Sequence, residues 1–329
     1  EFSGIGANPR FELLMEAVAQ VKRERIDFLL AVGGGSVVDG TKFVAAAACY
    51  EGDDPWDICG KQASVHKALP MGCVLTLPAT GSENNPTSVV SRGDVKISFR
   101  SPLVQPQFAV LDPATTYSLP PRQTGNGVVD AFVHIAEQYL TFPVGGEVQD
   151  RLAEGLLQVL VENGPRALAE PTNYQVRANL MWAASLALNG LIGCGVPQDW
   201  ASHAIGHQLT ALYGLDHGQS LAVVLPSLLR ERAGQKHWPS LPSGCGIRPA
   251  RTRPCVSKRR SSAPSSSSRR WDWVPGLPTT ASAKAAFRRS APTSSGWGAP
   301  RSVSSRISTR IGWHTFSPGR YKPAPGCFP

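Results

Sequence analysis

The sequence predicts two folded regions of different class and a tail without a fold: an α/β domain with a Rossmann-like parallel sheet over residues 1–121, an all-α domain over 122–231, and a disordered basic segment over 232–329. Three observations carry this reading. Short buried runs alternate with helical patterns as far as the prolines at 120 and 121. Beyond them only helical periodicity continues. After Arg232 no window keeps a period of 2 or 3.6, and 18 Ser and 13 Pro crowd the remaining residues.

Each element has its own signal. "FELLMEAVAQVKRER" spaces its apolar residues for a helix over 11–25, and "DFLLAVG" reads as a buried strand over 27–33. A glycine turn leads into a helix over 36–50, which gives the strand, turn and helix of a parallel sheet. "MGCVLTLPAT" (71–80) and "QFAVLDP" (107–113) are two further buried strands. In the second region the pattern predicts helices over 124–141, 146–162, 174–192, 198–213 and 218–230.

Bulk composition narrows the function classes. With 329 residues and 42% hydrophobic content the chain can bury a core, and no run approaches the length of a membrane-spanning helix. Seven cysteines without a CxxC pair argue against a disulfide framework and against a cysteine zinc site. The chain starts at Glu1 with no leader pattern, as expected of a fragment of a cytoplasmic protein. The net charge of +9 joins unlike halves: 15 Lys+Arg face 23 Asp+Glu in residues 1–231, whereas 18 Lys+Arg face only Asp272 beyond them. The tail therefore invites a nucleic-acid reading over 248–310. Aromatic residues such as Trp271 and Trp273 interleave only sparsely with its basic residues, and no recognised module is present. Its abrupt start within "LAVVLPSLLRER", with Arg, Ser and Pro replacing acids, points instead to a coding frame that has slipped.

Three stretches can carry chemistry. In "AVGGGSVVDGTK", glycines between a strand and a helix either make a plain tight turn or let the backbone cradle a phosphate, and the stretch is not GxGxxG. Asp39 and Lys42 on the following helix read as a solvated surface pair. "TLPATGSENNPTS" follows a strand at the carboxyl edge, where α/β sheets bind ligands, yet reads equally as a polar loop. The strongest constellation is helical. Asp130 and His134 stand at i and i+4, as do His203 and His207, and His217 follows ten residues later. One carboxylate with two or three imidazoles suits a divalent cation such as Fe2+ or Zn2+. Spacing alone favours His207 over His217 as a ligand.

"GGGSVVDGTK", "TLPATGSE", "LPPRQTGNGVVDAFVH" and "HAIGHQLTALYGLDHGQSLAVVLP", in this order, resemble the iron-containing (group III) alcohol dehydrogenases, in particular their NADPH-dependent butanol dehydrogenase and aldehyde reductase branch. The resemblance covers residues 1 to about 231. It implies a nucleotide-binding domain lacking its first strands, then a metal-binding domain lacking its last helices. Asp130, His134, His203 and His217 match the metal ligands. His207 matches a catalytic-pocket histidine, expected to relay protons with a pKa near neutrality. Gly34, Gly35, Ser36, Asp39, Thr76, Thr80, Asn85 and Lys96 match cofactor-binding positions, with NADP(H) favoured over NAD(H). The implied reaction interconverts a primary alcohol and an aldehyde in a cytoplasmic homodimer without a membrane or nucleic-acid partner; the alternative is an inactive fragment. Loss of the closing helices leads us to expect residues such as Leu221 and Val224 to be exposed.

Overall fold

A computed structural model of the chain describes residues 1–232. The expected disordered tail and the frame slip fall on residues outside the described ones.

The first helix, α1 (Phe11–Glu24), turns Phe11, Leu14, Ala17, Val18 and Val21 inward, the spacing of one helical face. It stops at Arg25, whose left-handed backbone (φ 55°) directs its N–H to the carbonyl of Val21. The chain then enters β1 (Leu29–Gly34), α2 (Gly35–Ala47), a single turn α3 (Asp57–Gly60) and β2 (Met71–Leu77). An antiparallel hairpin follows, β3 (Thr87–Arg92) and β4 (Val95–Arg100), joined by Gly93 and Asp94. The sequence reading assigns no element to residues 89–100, although "TSVVSRGDVKISFR" alternates and has a two-residue turn with glycine at positive φ. β5 is only Ala109–Val110, shorter than the predicted strand, because Pro106 and Pro113 close to either end offer no N–H to a ladder.

β1, β2 and β5 form a parallel sheet in the order β1-β2-β5, with Ala31 opposite Cys73 and Cys73 opposite Ala109. Val38 of α2 packs with Ala31, Met71 and Cys73 on one face. The alternate residues Leu30 (54% exposed) and Val32 (59% exposed) lie on the other, with Phe28, Phe108 and Val110 also exposed.

From Pro121 the chain is helical: α4 (Pro121–Tyr139), α5 (Glu147–Ala169), α6 (Tyr174–Ala187), α7 (Ala201–Tyr213) and α8 (His217–Arg232). α5 continues through Pro165 instead of ending at 162, and α6 stops before Gly190, whose φ of 96° takes the chain out of the helical region. The helices have their own core, in which Ala131 and Ile135 of α4 meet Leu157 and Leu160 of α5 and Leu180 and Ala184 of α6. Leu221 and Val224 are not exposed, contrary to expectation; they are 0% and 8% accessible. Leu221 and Leu225 close on Val133 of α4, so α4 covers the α8 face left to the absent helices in the sequence reading. Among the described residues no helix is long and apolar enough to cross a membrane.

Candidate functional site

α4 carries Asp130 and His134 on its buried face, α7 brings His203, and α8 begins at His217. One atom lies at the centre of this group. Asp130 Oδ1 is 3.6 Å from His134 Nε2, 3.7 Å from His203 Nε2 and 3.5 Å from His217 Nε2. The candidate ligand atoms of Asp130, His203 and His217 all lie within 4.8 Å of one another. Two donors bound to one cation at about 2.0–2.2 Å in a tetrahedral arrangement stand roughly 3.3–3.6 Å apart, so the spacing of Asp130, His203 and His217 fits a shared ion, whereas His134, although beside Asp130, stands outside that set of three. Asp130 Oδ1 and His203 Nε2 are buried without a hydrogen-bond partner among the described residues, which a cation would resolve. His207 stands beside the group, its ring centroid 5.2 Å from that of His217. The sequence spacing favoured His207; the geometry brings His217 to Asp130 instead.

The electrostatics make the group a ligand set rather than a collection of charges. Burial pushes the Asp130 carboxyl up, but the neighbouring imidazoles of His134, His217 and His203 outweigh it and hold the group well below the usual range. Burial pushes His134 down to about 4 and His217 well below its ordinary value. These imidazoles are neutral near neutral pH and have lone pairs to give. His203 differs: burial opposes its charge, yet the carboxylates of Asp130 and Glu137 beside it raise it above the ordinary value. His207 does not titrate near neutrality as expected, because burial, with Lys96 and His203, pushes it down to about 3.

The second part of the site is the start of α2. Its N-cap, Gly34, makes no side-chain cap, and the first turn holds no acidic residue, so the N–H groups there suit an anion. A Cβ on Gly35 would come within 2.3 Å of Thr80 Oγ1, so glycine is what lets the helix start press against the loop after β2. Ser36 Oγ accepts from the backbone N–H of Asn8, and Asn8 Oδ1 accepts from Lys96 Nζ at 2.8 Å. Burial pushes Lys96 down to about 8, while Asp39 and Asp130 pull the other way. Lys96 therefore links the α2 N-terminus to the aspartate and histidine group. Thr76 lies on β2, and Thr80 Oγ1 accepts from the backbone of Ser82.

Two of the expected cofactor residues turn inward. Asp39 Oδ1 accepts from Ser82 Oγ at 2.5 Å and Oδ2 from the N–H of Val89. Asn85 donates to the Gly81 carbonyl and accepts from the N–H of Thr87. Lys42 is fully buried and donates to Ser82 Oγ and to the carbonyls of Asn85 and Thr87, at 2.7–2.8 Å. The solvated Asp39 and Lys42 pair is thus corrected: both residues turn inward and brace α2 against the segment 82–89. The sequence reading missed Asn8, marked by its place before Pro9 and its φ of 57°, and Glu137, which continues the Asp130 and His134 face by another three residues.

Comparison with known proteins gives a consistent pattern. Residues 1–113 match the family model of iron-containing alcohol dehydrogenases, and residues 124–237 match that of the Fe-containing alcohol dehydrogenase family, C-terminal. The NADPH-dependent aldehyde reductase YqhD of Escherichia coli is 63% identical over 243 residues, which are 72% of this chain and 62% of that protein. The probable NADH-dependent butanol dehydrogenase 1 of Bacillus subtilis is 42% identical over 232 residues, 70% of this chain and 60% of that protein. The crystal structure of E. coli YqhD aligns with a TM-score of 0.70 at 61% identity, over 71% of this chain and 61% of that one. That of NADH-dependent butanol dehydrogenase A from Thermotoga maritima aligns with a TM-score of 0.67 at 40% identity, over 69% and 57%. The chain spans 62% and 60% of the two curated relatives given.

Proposed function

Because the chain belongs to the iron-containing alcohol dehydrogenase family, we propose that it carries the nucleotide-binding and metal-binding halves of an NAD(P)H-linked aldehyde reductase or alcohol dehydrogenase. The observation that carries the proposal is the convergence of three imidazole nitrogens on Asp130 Oδ1 at 3.5–3.7 Å. Asp130, His134, His203 and His217 would hold Fe2+ or Zn2+. Such a cation supplies Lewis acidity, polarising the oxygen of a small alcohol or aldehyde.

The chain's own residues do the rest. The N–H groups opened by Gly34, Gly35 and Ser36 receive the cofactor pyrophosphate. Lys96 adds positive charge between that anion and the histidines, with Thr76 on β2 and Thr80 against Gly35 as further cofactor contacts. Asp39 and Asn85 act indirectly, by fixing with Lys42 the helix α2 against residues 82–89. His207, neutral and half-buried beside His217, orients the substrate hydroxyl and passes its proton onward. The identity to an NADPH-dependent reductase favours NADP(H) over NAD(H), and a cytoplasmic homodimer is part of the same proposal.

The test mixes the full-length chain with Fe2+ or Zn2+, NADPH and butanal and follows NADPH absorbance. We expect consumption that EDTA stops and that His217→Ala lowers by at least about a hundredfold, the scale on which losing an electrophilic group acts. A chain that binds neither Zn2+ nor NADPH would overturn the proposal.

A further inference from the structure

Glu137 lies one helical turn beyond His134 on α4, and it is 4% exposed. Buried acids of this kind are rare unless their oxygens are satisfied. Here both oxygens serve α7. One accepts from the backbone N–H of Ser202, and the other contacts His203 Nδ1 and, at 3.4 Å, the backbone N–H of His203. The residue that should cap α7, Trp200, makes no side-chain cap. Glu137 therefore caps from a different helix, and the Glu137 carbonyl accepts from the N–H of Asp199 just before it.

The same carboxyl determines which way the His203 ring faces chemically. A neutral imidazole has one N–H and one lone pair, and an acceptor at Nδ1 selects the form with the proton there. The lone pair is then on Nε2, the atom 3.7 Å from Asp130 Oδ1 that has no partner among the described residues. Trp200 packs edge-on to the His203 ring with centroids 5.3 Å apart, and His134 stacks on it at 4.6 Å, so the ring has little freedom to flip. We infer that Glu137 is a positioning residue, capping α7 and holding His203 in the tautomer whose Nε2 lone pair faces Asp130, His134 and His217. This rests on the metal-binding reading of those four residues.

Glu137→Gln separates tautomer control from packing. It keeps the shape but has one oxygen and one NH2 for three donors, and with the oxygen kept by the backbone N–H of Ser202, His203 Nδ1 meets a donor. In the metal-free full-length protein, 15N-histidine correlation spectra at a pH where the ring is neutral should show His203 protonated at Nδ1. The resonance lost in His203→Ala identifies it. In Glu137→Gln the proton should move to Nε2, and Zn2+ affinity, read by chelator competition, should fall about 10–100-fold. The visible spectrum of the Co2+ form should change, and Glu137→Asp should recover part of both effects. A wild-type His203 protonated at Nε2 would overturn the inference even if the variants failed to fold. So would Glu137→Gln with unchanged tautomer and affinity. A wild-type protein that binds no Zn2+ overturns the metal reading and this inference together, whereas tight wild-type binding unchanged in Glu137→Gln overturns this inference alone.

Discussion

Lys42 donates three strong hydrogen bonds from a fully buried ammonium, two of them to backbone carbonyls that no other side chain is seen to serve. Burial pushes it down to about 8 from an ordinary 10.5, against the pull of Asp39 and Glu83. A lysine held low in the fold binds its proton less tightly there than in the unfolded chain. The penalty is thus fully present below about pH 8 and is relieved as pH rises towards 10.5, so stability to urea should increase across that interval. Lys96 carries the same shift, so the increase should shrink in Lys42→Met without vanishing. At pH 7 we expect Lys42→Met to cost about 3 kcal/mol, because it strands the carbonyls and leaves Asp39 buried without its nearest cation. An unchanged urea midpoint would show that the brace contributes nothing.

The helix starts hold the site at the scale of elements. A Cβ on Gly218 would come within 2.4 Å of the backbone carbonyl oxygen of Asn126, an atom that α4 cannot move aside. Gly218 follows His217, so this close approach sets how far that histidine reaches towards Asp130. Gly218→Ala should push the first turn of α8 off α4. Zn2+ affinity should then fall at least tenfold while the helical circular dichroism remains, and equal affinity would dissociate the helix contact from the site. Gly35→Ala acts on the other half, since its Cβ would overlap Thr80 Oγ1. NADPH binding, followed by fluorescence, should weaken sharply, with a stability cost of about 1–3 kcal/mol for the overpacking.

Across the whole molecule the apolar core divides between the α/β part and the helices, and one sheet face remains open among the described residues. Leu30, Val32, Phe28, Phe108 and Val110 lie on it, and the rings of Phe28 and Phe108 stack at 6.1 Å. An exposed apolar strand surface promotes association and dye binding. Replacing Leu30 and Val32 together by threonine should lower 1-anilinonaphthalene-8-sulfonate fluorescence and slow aggregation, with little change in the thermal midpoint because neither side chain is buried. A large fall in that midpoint would mean that the face is covered in solution.

Helix α1 and the principal strands were legible in the sequence because each shows its period locally: α1 repeats its apolar face every three to four residues, and β1 and β2 are short buried runs before turns. The i, i+4 pairs Asp130 with His134 and His203 with His207 were legible for the same reason, since one helix decides which of its residues are neighbours. Local pattern could not choose between His207 and His217, because that depends on how α8 docks against α4 some 90 residues away in sequence. Nor could it tell that Asp39 and Lys42 face inward, since a charged pair on a helix is solvated unless another segment supplies its partners; here Ser82, Asn85 and Thr87 do so. The hairpin of β3 and β4 was by contrast legible in its own alternation and glycine turn, and the short β5 in the prolines on either side of it. Only the tertiary structure brings Glu137 of α4 to the first turn of α7, because the free N–H groups at a helix start can be satisfied by any buried acceptor that packing delivers.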